Sequence, residues 1–136
     1  MAGDNLLDFS LSGFVRYAEE KKASCVMRYF EPDEAWLRRS GVAEIGAGDR
    51  LLSMVEKPEQ PASHWCVPAF YCFTAEDLRL VRLAIDEGGC GTDAPGSFIA
   101  WLCRRSDVFA WEMPGHRFDI GTLAGYEEIR RTYKGF

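Results

Sequence analysis

Short β-type runs alternate with helix-type segments along the whole chain, and this interleaving constrains the fold more than any other feature. Strands and helices taken in turn suit a sheet with helices packed on it, and neither an all-α nor an all-β plan. Leu11, Phe14, Val15 and Ala18 recur at helical spacing, with Lys21 and Lys22 where cations complement a helix end, so a helix is expected from about Leu11 to Lys22. Cys25 to Phe30 reads as a strand, and Glu31-Pro32-Asp33 opens a short helical turn ending near Arg39. Gly41 to Ile45 and Leu51 to Val55 flank Gly46-Ala47-Gly48-Asp49, a glycine-rich link that predicts an antiparallel hairpin. Cys66 to Phe73, rich in aromatic residues, predicts one further strand. Thr74 then precedes an acidic residue by three, the signature of a capped helix start. The helix it opens is expected over Ala75 to Glu87, with Leu78, Val81 and Ile85 as its buried face and Gly88-Gly89 as its end. A helix over about Pro95 to Arg105, a strand from Val108 to Met113 and a last helix from Leu123 to Tyr133 complete the series. Residues 1–136 are expected to form a single α/β domain with an antiparallel hairpin inserted in it.

The charges exclude one class of partner. Lys and Arg number 16 against 21 Asp and Glu, a net of -5, and no basic stripe interrupts them, so nucleic acid is not an expected partner. No apolar run approaches the ~18–20 residues of a membrane-spanning helix, and no membrane association is expected. Five cysteines without a C-x-x-C spacing read as reduced, mostly buried thiols of a cytoplasmic protein. His64 and His116 sit in separate loops and read as hydrogen-bonded loop residues rather than metal ligands.

Four short stretches suggest chemistry. Asp4 and Asp119 each stand beside glycine where a strand should end, and ligands of open α/β sheets bind at such ends. Mg²⁺ takes one or two protein carboxylates and fills its shell with water and phosphate oxygens, which two convergent aspartates would suit. From spacing alone the same residues read more readily as carboxylates that satisfy turn amides. Glu56-Lys57-Pro58 ends a strand, and the proline should break the extended geometry so that both charged heads reach one cavity. There a carboxylate would accept from sugar hydroxyls and an ammonium would meet a phosphate. The alternative is an exposed ion pair of little consequence. Gly41-Val42-Ala43-Glu44 and Phe118-Asp119-Ile120-Gly121-Thr122 complete the set.

In their joint order these stretches resemble the sugar-phosphate nucleotidyltransferase family that includes glucose-1-phosphate thymidylyltransferase and UTP–glucose-1-phosphate uridylyltransferase. The resemblance runs from Gly3 to about Tyr133 and is most specific in the Glu-Lys-Pro and Asp-Ile-Gly-Thr runs. It implies the carboxy-terminal part of a Rossmann-like mixed sheet with flanking helices, one that joins a nucleoside triphosphate and a sugar 1-phosphate into a nucleotide sugar and pyrophosphate. By that resemblance Asp4 and Asp119 would ligate Mg²⁺, and Gly41 would let backbone approach the sugar. Glu56 would hold sugar hydroxyls, Lys57 would bind the phosphate and act in catalysis, and Val67 would line the sugar pocket.

Certain features depart from the family. No glycine-rich, arginine-containing loop to hold the triphosphate occurs among the 136 residues, so this chain alone is expected to be inactive, and either to self-associate or to belong to a longer product. Ala2-Gly3-Asp4-Asn5 looks like the turn leaving a strand that the chain does not contain, which would leave Asp4 unanchored. A parallel sheet with an exposed edge is expected in consequence, and with it a homo-oligomer. His64 stands where the family has asparagine, Ala69 where it has glycine, and Arg117 where an aromatic residue is frequent. The alternative to an enzyme portion is a non-catalytic sugar-phosphate-binding or dimerisation domain. A glycosyltransferase of similar design is opposed by Glu56-Lys57-Pro58.

Overall fold

A computed structural model describes residues 4–134. In chain order the elements are β1 (Asn5–Leu7), α1 (Ser12–Lys21), β2 (Ser24–Phe30), α2 (Glu34–Leu37), β3 (Gly41–Ile45), β4 (Leu51–Glu56), β5 (Trp65–Cys66), β6 (Tyr71–Cys72), α3 (Ala75–Leu78), α4 (Val81–Asp86), α5 (Gly96–Leu102), β7 (Val108–Glu112), β8 (Arg117–Asp119) and α6 (Leu123–Thr132). The main sheet is mixed and runs β4-β3-β5-β2-β6, with β7 on β2 as well. Among the described residues only β2 and β7 pair in parallel, Ser24 to Arg28 against Val108 to Glu112. The other pairings are antiparallel, so the expected parallel sheet is replaced by a largely antiparallel one.

Alternation along β2 splits the core into two layers. Val26 faces a cluster with Ile99, Trp101 and Leu102 of α5 and Ala84 of α4. Cys25 and Met27 face the other way, onto Phe14 and Ala18 of α1 and Phe70. The hairpin β3–β4 forms as its glycines predict, Gly48 taking the left-handed φ of 65° that its turn requires. Through β5 this antiparallel hairpin is joined to the main sheet.

Two expected elements are broken. The strand expected over Cys66 to Phe73 divides at Pro68, which has no amide hydrogen to give a ladder. Phe70 N–H instead donates to the Pro68 carbonyl at 2.6 Å, and the Phe70 carbonyl accepts from Met27. The two halves therefore pair with different stretches of β2, β5 with Tyr29 and Phe30, β6 with Cys25 and Val26.

The helix expected over Ala75 to Glu87 divides into α3 and α4 at Arg79 and Leu80, and of its expected buried face only Val81 packs on the core. Thr74 caps it as predicted, accepting from Asp77 N–H at 3.1 Å. The Asp77 carboxylate turns inward to accept from the Ser24 hydroxyl at 2.6 Å, and Ser24 in turn accepts from Thr74 N–H. That buried hydrogen-bonded chain fixes the first turn with Asp77 and later Ala84 facing the core, and leaves Leu78 and Ile85 exposed.

Candidate functional site

The site is built on the end of the β3–β4 hairpin. Register sets Gly41 opposite Glu56, and Val42 opposite Cys66 of β5. Val67, next in the chain, donates its N–H to the Gly41 carbonyl at 2.9 Å. A Cβ on Gly41 would stand 3.3 Å from both Glu56 Oε1 and the Val67 carbonyl, so Gly41, Glu56 and Val67 form one cluster. The Glu56 carboxylate also rests on the start of α5, where a Cβ on Gly96 would fall 1.7 Å from Oε1. Tyr71 belongs to this group: burial, with the Glu56 charge second, pushes its phenol well above the usual range.

β4 stops at Glu56 because the following residue is left-handed, Lys57 having φ 49° directly before Pro58. The expected break in extended geometry thus falls at Lys57, one residue before the proline. The two residues differ in burial there, Glu56 being half-buried against Gly41 and Gly96 while Lys57 is exposed. Lys57 N–H donates to the Ser40 carbonyl at 2.9 Å.

Asp4 and Asp119 meet through β1 and β8. Asn5 pairs with Asp119 in the ladder, and Ile120 N–H donates to the Asp4 carbonyl at 2.8 Å. Asp4 is therefore anchored by the pairing with β8, contrary to the expectation that it would be unanchored. Gly3, of the Gly3-Asp4-Asn5 stretch, lies outside the described residues. A Cβ on Gly121 would be 3.1 Å from Asp4 Oδ2 and 3.1 Å from Asp119 Oδ1, so both carboxylates edge one small cradle that glycine leaves open. Asp119 Oδ1 also accepts from Gly121 N–H at 2.9 Å, which is the turn-satisfying role as well. Among the described residues no three His, Cys, Asp or Glu side chains group as metal ligands. Two acidic oxygens beside an open cradle fit Mg²⁺, which keeps several waters and takes phosphate oxygens, better than an ion that needs a full protein cage.

Asp119 lines a cavity of about 460 Å³ together with Trp36, Arg39, Ser40, Arg117 and Thr122, whereas Gly41, Glu56, Lys57 and Val67 are not among its lining residues. Ser40, whose carbonyl holds the Lys57 amide, is the residue that links the hairpin end to this cavity, and Asp119 links the acidic pair to it. Arg117 donates to Asn5 Oδ1 at 2.5 Å and lies 3.6 Å from Asp119 Oδ2, which accounts for arginine at a position where the resembled family favours an aromatic ring. His64 stacks on Phe30 and bonds the Glu31 carbonyl, and His116 pairs with Asp8 at 2.8 Å.

Sequence reasoning missed Arg39, Gly96 and Tyr71. Arg39 sits next to the singled-out Gly41 segment and was within reach of attention to flanking charge. Nothing in the sequence ties Gly96 to a carboxylate forty positions earlier.

Burial raises the Glu56 carboxyl above its ordinary 4.5, with Lys57 opposing. A raised acid binds its proton more readily folded than unfolded, so Glu56 destabilises the fold when ionised. That cost is absent below the unfolded pKa and appears as pH rises through the folded one. Glu56→Gln is expected to flatten the pH dependence of stability in that window, as read by urea titrations across it. An unchanged slope would contradict the assignment.

Comparison with known proteins bears on the family and the fold. The family model described as nucleotidyl transferase matches residues 1–135. Among solved structures, an apo UDP-glucose pyrophosphorylase is similar with a TM-score of 0.80 at 22% identity, over 96% of this chain and 51% of that one. A UTP-bound UGPase from Acinetobacter baumannii gives 0.74 at 22%, over 96% and 48%. A putative glucose-1-phosphate thymidylyltransferase from Bacillus anthracis, in complex with a sucrose, gives 0.71 at 21%, over 98% and 54%. At such identities the likeness is one of fold, and the chain spans about half the length of these structures. Among the described residues no helix is long and apolar enough to cross a membrane.

Proposed function

This chain belongs to the nucleotidyl transferase family, and from that membership we propose that its residues supply the sugar-phosphate side of a site that joins a sugar 1-phosphate to a nucleoside triphosphate. An oxygen of the sugar phosphate attacks the α-phosphorus, the bond from that phosphorus to the bridging oxygen breaks, and pyrophosphate leaves with the electron pair. No redox change and no covalent enzyme intermediate is needed, so the protein's task is positioning and charge neutralisation. The carboxylate of Glu56 accepts from sugar hydroxyls, with Gly41 and Val67 shaping the backbone around the ring. Lys57 neutralises the phosphate as it becomes the nucleophile's anchor. Asp4 and Asp119 would hold Mg²⁺, which when bound supplies charge neutralisation to phosphate oxygens.

The observation that carries this reading is the meeting of Gly41, Glu56 and Val67 on a hairpin end whose next residue is tied to the cavity containing Asp119. Calorimetric titration with glucose 1-phosphate in Mg²⁺ tests it. Lys57→Ala is expected to weaken binding about tenfold, the scale of one charge-assisted contact, and equal heats from both proteins would refute the phosphate role. Pyrophosphate release with each nucleoside triphosphate is expected to be absent from these 136 residues alone, since they contain no glycine-rich triphosphate loop. Steady release would contradict that.

Exposed Leu78, Leu83 and Ile85 on α3 and α4, with Leu52 and Val55 on β4, support a homo-oligomer. Five free thiols suit a reducing compartment such as the cytoplasm.

A further inference from the structure

The cations lining the cavity beside Asp119 are Arg39 and Arg117, and neither has a place in the reading above. Arg39 lies with its guanidinium 5.1 Å from the centroid of the Trp36 ring. Trp36 is itself fixed, donating its indole N–H to the Tyr29 hydroxyl at 3.0 Å. Stacking engages the face of a guanidinium and leaves its N–H rim for a planar or tetrahedral anion. Arg117 comes from β8 with its side chain only 16% exposed. Of its five N–H donors one is committed to Asn5 at 2.5 Å. Its approach to Asp119 at 3.6 Å is an ion pair too long for a hydrogen bond.

Charge arithmetic says what such a cavity would take. Arg39 and Arg117 balance Asp4 and Asp119, so the group is neutral as it stands. Lys57 and Glu56 add one charge of each sign, so a divalent cation on the acidic pair leaves two positive charges in excess, which a phosphate monoester matches as a near-dianion around neutral pH. The hydroxyl-bearing residues Ser40 and Thr122 complete the lining. The geometry points to an arginine clamp in which Arg39 and Arg117 grip the phosphate group of the bound ester, in addition to Lys57. This inference rests on the sugar 1-phosphate reading for the identity of the ester, but the clamp itself requires only the phosphate.

Methyl phosphate, which has no sugar, and glucose 1-phosphate separate the two claims when each is titrated into the 136-residue chain with Mg²⁺ and again with EDTA. In Mg²⁺ both esters should bind the unmodified chain, more weakly in EDTA. Arg39→Ala should lower the affinity for both by about tenfold or more. Arg39 is exposed, so this variant should keep its thermal midpoint. Arg117→Lys keeps the charge but loses the fork, and should weaken both esters by a smaller factor while leaving the contact with Asn5 within reach. Failure of methyl phosphate to bind, or equal affinities of the unmodified chain and both variants, would overturn the clamp. If instead the arginine dependence holds but glucose 1-phosphate binds no more tightly than methyl phosphate and Glu56→Gln alters neither, the clamp stands and the sugar reading falls.

Discussion

Gly96→Ala is expected to weaken binding of glucose 1-phosphate by roughly ten- to a hundredfold while leaving the fold almost as stable as before. A Cβ there would stand 1.7 Å from Glu56 Oε1 and 2.7 Å from Met54 Cε, distances no side chain tolerates. Both atoms are the far ends of flexible chains, so the protein can relieve the clash by swinging Glu56 out of place. The cost then falls on whatever the carboxylate holds, and a displaced charge-assisted pair of hydrogen bonds is worth about 1.5–3 kcal/mol. Stability is offset slightly in the other direction, since Gly96 opens α5 and alanine's advantage there is less than the ~0.5–1 kcal/mol of a helix interior. Calorimetry and a thermal melt on the same sample separate the two effects. A variant that binds normally would show that Gly96 does not set the position of Glu56.

Trp101→Ala is expected to act on the fold instead, at a cost of about 3–5 kcal/mol. The indole is 1% exposed, stacks on Phe98 at 6.0 Å and 18°, and carries the Arg105 guanidinium 4.0 Å above it. It also closes the space beside Gly89, where a Cβ would lie 2.9 Å from Cδ1. Against a typical total of about 5–15 kcal/mol, removing it should shift the urea midpoint far down or leave the chain unfolded. A midpoint close to that of the unmodified chain would show that α5 is not the keystone of the larger core.

What could be read from the sequence was local. The hairpin was visible because Gly46 to Asp49 supplies its turn and each strand is apolar beside it. The cap of α3 was visible because Thr74 and Asp77 stand at a fixed interval, and Thr122 caps α6 by the same chemistry, accepting from Gly125 N–H at 3.1 Å. What could not be read was decided by partners distant in sequence. β1 and β8 are three residues each, and their pairing joins Leu7 to Arg117. Segments that short carry no periodicity, so the anchoring of Asp4 had no sequence signal. Asp77 turned inward because Ser24 waits for it across the core, which no helical pattern in α3 foretold. The break at Pro68 was legible in principle and was overridden by the aromatic run around it. In the candidate site, the residue types in the Glu-Lys-Pro and Asp-Ile-Gly-Thr runs were legible. Their support, Gly96 beneath Glu56 and the two arginines across the cavity, was set by tertiary packing alone.

The central claim is that the acidic pair and the hairpin end serve one bound sugar phosphate. Mn²⁺ can replace Mg²⁺ and broadens the signal of any phosphorus held close to it. The ³¹P linewidth of glucose 1-phosphate, measured with Mn²⁺ and compared with the same mixture lacking protein, therefore reads ion and phosphate together. The account predicts protein-dependent broadening that is lost in Asp119→Asn and reduced in Lys57→Ala. Broadening no greater than in the protein-free mixture, or equal in all three proteins, would contradict it.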